Sequence, residues 1–267
     1  MNIAIVGGGN MGEAIASILI NNQIIPARNV IVSRRNTTEL LRLKRQYDIS
    51  VTSDNVVAIK GADIVILSVK PQNLLEVMKE LNGHLKPRQL LLSIIAGAKI
   101  ESLRSGTGHK RIVRVMPNTP ARIGEGISIW TTSSEVTENQ KEWSKRILGT
   151  MGKEIYVDDE KYLDMATAIS GSGPAYFFLF TEVLINAAQD IGLSQNMAKN
   201  LVIQTIFGSG HLLHRSGRSS GELRKMVATS GGATAEALAR FEQGNFRNLV
   251  ISAVSAAYNK AIELGNN

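Results

Sequence analysis

Gly7, Gly9 and Gly12 stand in the spacing G-x-G-x-x-G within Gly7-Gly8-Gly9-Asn10-Met11-Gly12. At such a turn the first glycine permits the sharp bend, the second lets backbone approach a pyrophosphate, and the third lets the next helix pack close to the strand. The free N–H groups and partial positive charge at the start of that helix complete an anion site. The motif follows the apolar run Asn2–Val6 and opens a helical stretch, Met11–Ile20. That context, and not the spacing alone, separates a dinucleotide site from an unliganded glycine-rich turn.

The following strand bears on which dinucleotide is bound. An NAD-preferring site carries Asp or Glu about 20 residues beyond the last glycine, to hold the ribose hydroxyls. Val32-Ser33-Arg34-Arg35 stands there instead. Two guanidiniums suit a 2′-phosphate through bidentate, charge-assisted bonds. NADPH is therefore favoured, with NADH an alternative donor if the arginines form only a solvated surface pair. Val69-Lys70-Pro71-Gln72 and Met116-Pro117-Asn118-Thr119-Pro120 end two further strands, where ligands of open parallel sheets bind; two prolines stiffen the second loop. The cofactor set comprises, from these segments, Gly7, Gly9, Asn10, Met11, Gly12, Ser33, Arg34, Arg35, Val69, Lys70, Pro71, Met116 and Asn118, and in addition Asn55. A second anion site is offered by Ser230-Gly231-Gly232-Ala233-Thr234, whose backbone N–H groups precede a helix expected near Ala235. On that reading Thr234 could simply cap the helix.

The elements that must hold these residues divide the chain in two. Asn2–Val6, Val30–Ser33, Asp63–Val69, Gln89–Ile94 and Arg111–Met116 read as buried strands. They alternate with helical stretches at Met11–Ile20, Thr37–Gln46, Asn55–Lys60, Gln72–Leu81 and Ile100–Arg104, the pattern of a doubly wound parallel sheet. Gly126–Thr131 and Glu154–Val157 read as edge strands, with a helix between them opened by Thr137 and Gln140 in capping-box spacing. Beyond Asp159 the signals are helical: Ala175–Ile191, Met197–Leu213, Gly221–Val227, Ala235–Phe241 and Phe246–Leu264. The expected fold is an α/β Rossmann domain over 1–159 and an all-α domain over 160–267. Ala175-Tyr176-Phe177-Phe178-Leu179-Phe180 is apolar on every helical face, so either a partner subunit covers it or it is the central helix of a monomer core.

Composition narrows the classes. The absence of cysteine excludes disulfides, thiolate metal sites and cysteine nucleophiles. His84, His109, His211 and His214 are scattered without a carboxylate cluster, so no metal is expected. The net charge of +7 lies wholly in residues 1–158, with 21 basic against 14 acidic, while 159–267 balance at nine each. Such a surplus suits a phosphate-rich small molecule, and without a basic, aromatic-interleaved stripe nucleic acid is not expected. No apolar run approaches transmembrane length and Met1–Val6 lacks the pattern of a signal peptide, so a cytoplasmic protein without a membrane partner is expected.

On these residues the chain resembles pyrroline-5-carboxylate reductases essentially end to end. The resemblance is carried by Val6-Gly7-Gly8-Gly9-Asn10-Met11-Gly12, Val69-Lys70-Pro71-Gln72 and Arg114-Val115-Met116-Pro117-Asn118-Thr119-Pro120. Ser170-Gly171-Ser172-Gly173-Pro174-Ala175 and Thr229-Ser230-Gly231-Gly232-Ala233-Thr234 add to it. The last segment is similar to the family's substrate loop, S-P-G-G-T/A-T, with Thr229 and Ser230 in place of the usual serine and proline. The resemblance implies hydride transfer from NADPH to the C=N carbon of 1-pyrroline-5-carboxylate, giving L-proline, at the seam of the two halves. It implies substrate binding by Thr229, Ser230, Gly231, Gly232, Ala233 and Thr234, with the Thr234 hydroxyl reaching the ring nitrogen as the catalytic contact. It further implies a homodimer through the helical half, with a ring of dimers left open. Two alternatives stand beside it. A β-hydroxyacid dehydrogenase needs a lysine where Phe177 stands, and no lysine lies between Tyr162 and Gln195. A non-catalytic NADPH-binding regulator would have no use for the Gly231–Thr234 loop.

Overall fold

The computed structural model describes residues 1–266, and two compact units emerge: Met1–Ser172 with the chain from Ala257 onward, and Gly173–Ala256. The first unit is built on eight strands: β1 (Ile3–Val6), β2 (Val30–Ser33), β3 (Ser50–Thr52), β4 (Ile64–Leu67), β5 (Leu90–Ser93), β6 (Ile112–Met116), β7 (Gly126–Thr132) and β8 (Gly152–Tyr156). Their order is β3-β2-β1-β4-β5-β6-β7-β8, and β1 to β6 run parallel. The β6–β7 pair is antiparallel, and β8 lies parallel to β7.

Helices cover the sheet: α1 (Asn10–Asn21), α2 (Thr37–Tyr47), α3 (Asn55–Ile59), α4 (Leu74–Leu81), α5 (Ile100–Thr107) and α6 (Glu138–Gly149). Ile3, Ile5, Ile15, Leu19, Val32 and Leu43 lie in one buried cluster, and Ala4, Val6, Val65, Leu67, Leu91 and Leu103 in another. Strands β1, β4 and β5 are buried at every residue, which is why they read as unbroken apolar runs. The reciprocal Thr137–Gln140 capping box opens α6 as its sequence indicates.

Three features depart from expectation. Strand β3 is added at the β2 edge; its three residues are too few and too polar to show a period. Strand β7 is internal, because β8 pairs along its outer side; of the two strands expected at an edge, only β8 is one. The largely alternating burial of β7, from Gly126 to Trp130, mimics the half-exposed pattern of an edge strand. Finally α7 (Lys161–Ala166) and a π-helical turn, Thr167–Gly171, precede the glycines where a helix start was expected.

The second unit contains α8 (Gly173–Asp190), α9 (Gln195–Ser216), α10 (Ser220–Val227), α11 (Ala233–Gln243) and the first half of α12 (Phe246–Asn266). Ser194 caps α9, and Ser219 with Glu222 forms a capping box on α10. Phe180, Phe241 and Phe246 form a small aromatic cluster, with ring centroids 5.3–6.4 Å apart. Yet among residues 173–256 only Gly173 and Ala198 are buried. Phe177 and Phe178 are 66% and 67% exposed, so α8 is not the central helix of a monomer core. The helical stretch Lys161–Asp190 is also long and apolar enough, by length and composition alone, to cross a membrane. That corrects the expectation that no such stretch exists.

Candidate cofactor and substrate sites

The parallel register brings Val6, Ser33, Leu67 and Ser93 to one level, so the turns after β1, β2, β4 and β5 open at one end of the sheet. Strand order reverses between β1 and β4, and the glycine turn sits at that switch point. Gly7 has a left-handed φ of +107°, and a Cβ there would stand 2.8 Å from the backbone of Ser68 and Val69. A Cβ on Gly12 would overlap the Gly7 carbonyl oxygen and Ser68 Oγ. Gly8 and Gly7 both donate to the Ser33 carbonyl, at 2.9 and 3.0 Å. Gly9 differs, since nothing lies within 4 Å of where its Cβ would be. It is the N-cap of α1, and no side chain caps that helix. The turn thus keeps open backbone and free helix-start N–H groups on one side, the arrangement a pyrophosphate requires.

At the end of β2, Arg34 Nη1 donates to the Gly8 carbonyl at 2.7 Å, and Arg35 reaches Glu76 at 3.2 Å. Ser33 Oγ donates to Asn55 Oδ1 at 2.7 Å, and Asn55 in turn donates to Glu80 at 2.6 Å. No carboxylate ends β2, so the residues present fit a nucleotide carrying a 2′-phosphate. Val69 is half-buried, and Lys70 and Pro71 are exposed where a 3₁₀ turn leaves β4. Met116 ends β6 and Asn118 follows it, where Asn118 Oδ1 accepts from the Ile127 N–H at 2.9 Å. That bond fixes the loop against β7, a bracing role the sequence did not suggest.

Sequence reasoning also missed three groups around this site. Ser68 Oγ donates to the Gly7 carbonyl and ties the β4 end to the glycine turn. Glu39 lies beside Arg34. Arg114 is 3% exposed within β6 and pairs with Glu160 at 2.8 Å and Asp164 at 2.6 Å. Arg114 stands out as the one charge within Ile112–Met116, but its partners lie at the N-cap and inside of α7, a helix the sequence pattern does not mark. Elsewhere, burial holds His109 below the ordinary imidazole range while its Nε2 contacts the Gln89 carbonyl at 2.9 Å. Among the described residues no group of three or more His, Asp or Glu side chains could hold a metal.

The loop Thr229–Thr234 lies in the second unit. The Gly232 N–H donates to the Thr229 carbonyl at 3.1 Å, closing a four-residue turn with Gly231 at φ +73°. Helix α11 begins at Ala233 with Gly232 as its N-cap and no side-chain cap. Thr234 therefore sits inside the first turn and does not cap the helix, contrary to the alternative reading. A threonine two residues past an uncapped start leaves both its hydroxyl and the neighbouring N–H groups available to an anion.

Comparison with known proteins agrees with both halves. Residues 160–264 match the family described as pyrroline-5-carboxylate reductase dimerisation, and residues 2–97 match NADP oxidoreductase coenzyme F420-dependent. A pyrroline-5-carboxylate reductase of Pseudomonas aeruginosa is 36% identical over 98% of this chain and 96% of its own. The chain belongs to the pyrroline-5-carboxylate reductase family. Among solved structures, the NADP-bound pyrroline carboxylate reductase of Plasmodium falciparum superposes with a TM-score of 0.90 at 34% identity, covering 99% of this chain and 98% of that one. The enzyme from Coxiella burnetii gives 0.88 at 34%, covering 98% of each chain. The dimerisation match covers the segment whose apolar residues are left uncovered in a single chain.

Proposed function

We propose that this reductase family member converts 1-pyrroline-5-carboxylate to L-proline with NADPH, the last step of proline biosynthesis. The observation that carries the proposal is family likeness along the full chain with both chemistry-bearing turns in open, uncapped conformations. NADPH would supply the hydride. The glycine turn and the α1 start bind its pyrophosphate, Arg34 and Arg35 its 2′-phosphate, and Ser33 and Asn55 the adenosine side. Val69, Lys70, Pro71, Met116 and Asn118 border the nicotinamide half. Ser230, Gly231 and Ala233 hold the substrate carboxylate through backbone N–H groups, Thr229 and Gly232 line the site and close its turn, and Thr234 donates its hydroxyl to the ring nitrogen.

A hydrogen-bonded imine is already a good electrophile, so orientation and one donor suffice without a strong acid. The hydroxyacid dehydrogenase alternative is disfavoured by Phe177, an apolar side chain where an alcohol proton carrier would be needed. The protein works as a homodimer through its helical half, with a ring of dimers as the larger assembly, in the cytoplasm and away from membranes.

The test is oxidation of NADPH by 1-pyrroline-5-carboxylate with proline identified as product, repeated with Thr234→Ala. Rapid turnover lost in the folded variant supports the assignment. Turnover unchanged by the substitution removes Thr234 from its role. Cofactor binding without turnover would favour the non-catalytic regulator.

A further inference from the structure

Arg34 is not free to meet a phosphate on its own terms. Its Nη1 donates to the Gly8 carbonyl at 2.7 Å and lies 3.5 Å from Glu39 Oε2, with both side chains about one-third exposed. Glu39 is well anchored. Its N–H donates to Asn36 Oδ1 at 3.1 Å in the first turn of α2, and its carboxylate accepts from Arg42 Nε at 3.0 Å. Arg42 is itself shared with Glu13, which also accepts from the Tyr47 hydroxyl. The cluster of Arg34, Glu39, Arg42 and Glu13 is therefore neutral as a whole, although Arg34 alone would present one positive charge. Arg35 and Glu76 form a looser pair at 3.2 Å, both more than half exposed.

We infer that Glu39 sets how strongly this chain prefers NADP(H) to NAD(H), by holding a negative charge beside the guanidinium that receives the 2′-phosphate. The inference rests on the reading of Arg34 as that phosphate's partner. A phosphate held bidentately by Arg34 would lie roughly 6 Å from the carboxylate, a repulsion that near a solvated, screened surface amounts to about three- to tenfold in affinity. A ribose 2′-hydroxyl carries no charge and escapes the penalty. The carboxylate therefore acts on one nucleotide and spares the other. Arg42 does not cancel the effect, because Glu13 claims it as well.

The probes are adenosine 2′,5′-bisphosphate and 5′-AMP, which differ only in the 2′-phosphate, titrated calorimetrically against the full chain. Glu39→Gln should bind the bisphosphate about three- to tenfold more tightly with 5′-AMP unchanged, and the gain should shrink in high salt. Glu39→Asp withdraws the carboxylate by one methylene and should fall between, while Glu76→Gln should move affinity less than about twofold, being more screened. Glu39→Gln keeps the Arg42–Glu13 pair, and an unchanged melting temperature shows that the fold is intact. Bisphosphate affinity that is flat or weaker in Glu39→Gln overturns the inference. Arg34→Gln separates the two levels of argument. If it abolishes the bisphosphate advantage while Glu39→Gln is flat, Arg34 keeps its role and only Glu39 loses its own. If the advantage survives in Arg34→Gln, both fall.

Discussion

Replacing Arg114 with methionine should cost this protein about 3 kcal/mol, chiefly through the carboxylate left behind. Arg114 is 3% exposed and donates to Glu160 at 2.8 Å and to Asp164 at 2.6 Å. The two carboxylates differ in what they can do when it is gone. Glu160 is 30% exposed and still accepts from the Ile100 N–H at 2.8 Å, so water can replace the lost bond. Asp164 is 12% exposed and keeps an almost dry charge. Removing one member of a buried pair costs roughly 3–5 kcal/mol, and the partial hydration of Glu160 places this case near the lower bound. In a domain of this size that is a fall of about 6–12 °C in melting temperature. The companion substitution Asp164→Asn removes the stranded charge, so the double variant should be more stable than Arg114→Met alone, with a coupling of about 2 kcal/mol. Thermal and denaturant unfolding of the single and double variants, at one protein concentration, measures both quantities. A loss below about 1 kcal/mol in Arg114→Met, or an Asp164→Asn change that simply adds to it, would refute the reasoning.

Gly9→Ala and Gly12→Ala should separate binding from folding. The first has open space for its Cβ and should fold normally while weakening dinucleotide binding by about tenfold or more in a fluorescence titration, because backbone can no longer approach the pyrophosphate. The second overlaps the Gly7 carbonyl and should lower the melting temperature; equal behaviour of the two would contradict the geometry of the turn. Glu135 is held at about 2 by the paired Arg104 guanidinium, against an ordinary value of 4.5. Because its folded value is depressed, the stabilisation is present above pH 4.5 and fades as pH falls toward 2. Glu135→Gln should flatten acid unfolding in that window, and an unchanged curve would show that the pair contributes nothing. Ser230→Pro places proline at the second position of the Thr229–Gly232 turn, where its ring fixes φ. It should lower KM for the imine about two- to fivefold with kcat little changed, through less entropy lost on ordering the loop. Higher KM would mean that the loop must flex to bind.

The nucleotide half was legible because parallel strands buried on both faces print as continuous apolar runs, and the turn between β1 and α1 must contain glycines where backbone meets backbone. Gly7, Gly12 and the absence of a carboxylate after β2 are local facts, available within the single stretch Gly7–Arg35. Arg114 is not of that kind. Its meaning depends on residues 46 and 50 positions away, in a helix whose start was hidden by Gly171, Gly173 and Pro174. Glu39 is likewise invisible from sequence, since five residues along a helix start do not show which carboxylate turns back to Arg34. Only the alternative reading of Thr234 as a helix cap is displaced, by two positions, because α11 opens on Gly232, a cap with no side chain to announce it.

The helical half was legible as helices but not as a surface. Its elements have the right spacing, caps and lengths, yet its apolar residues point to no core within the chain. Phe177, Phe178, Leu179 and Val183 all lie more than half exposed on α8, a concentration that a monomer in water does not maintain without cost. Sequence could say that α8 must be covered, and a single chain shows that its own elements do not cover it. The dimerisation match over residues 160–264 favours a second copy of the same helices as the occupant. Charge introduced on that face, as in Phe178→Glu, should therefore shift sedimentation toward monomer. It should do so without disturbing binding of 5′-AMP to the first unit, whose glycine turn is held by β2 and β4 of that unit. Loss of nucleotide binding together with the dimer would show instead that the sheet domain depends on the assembly.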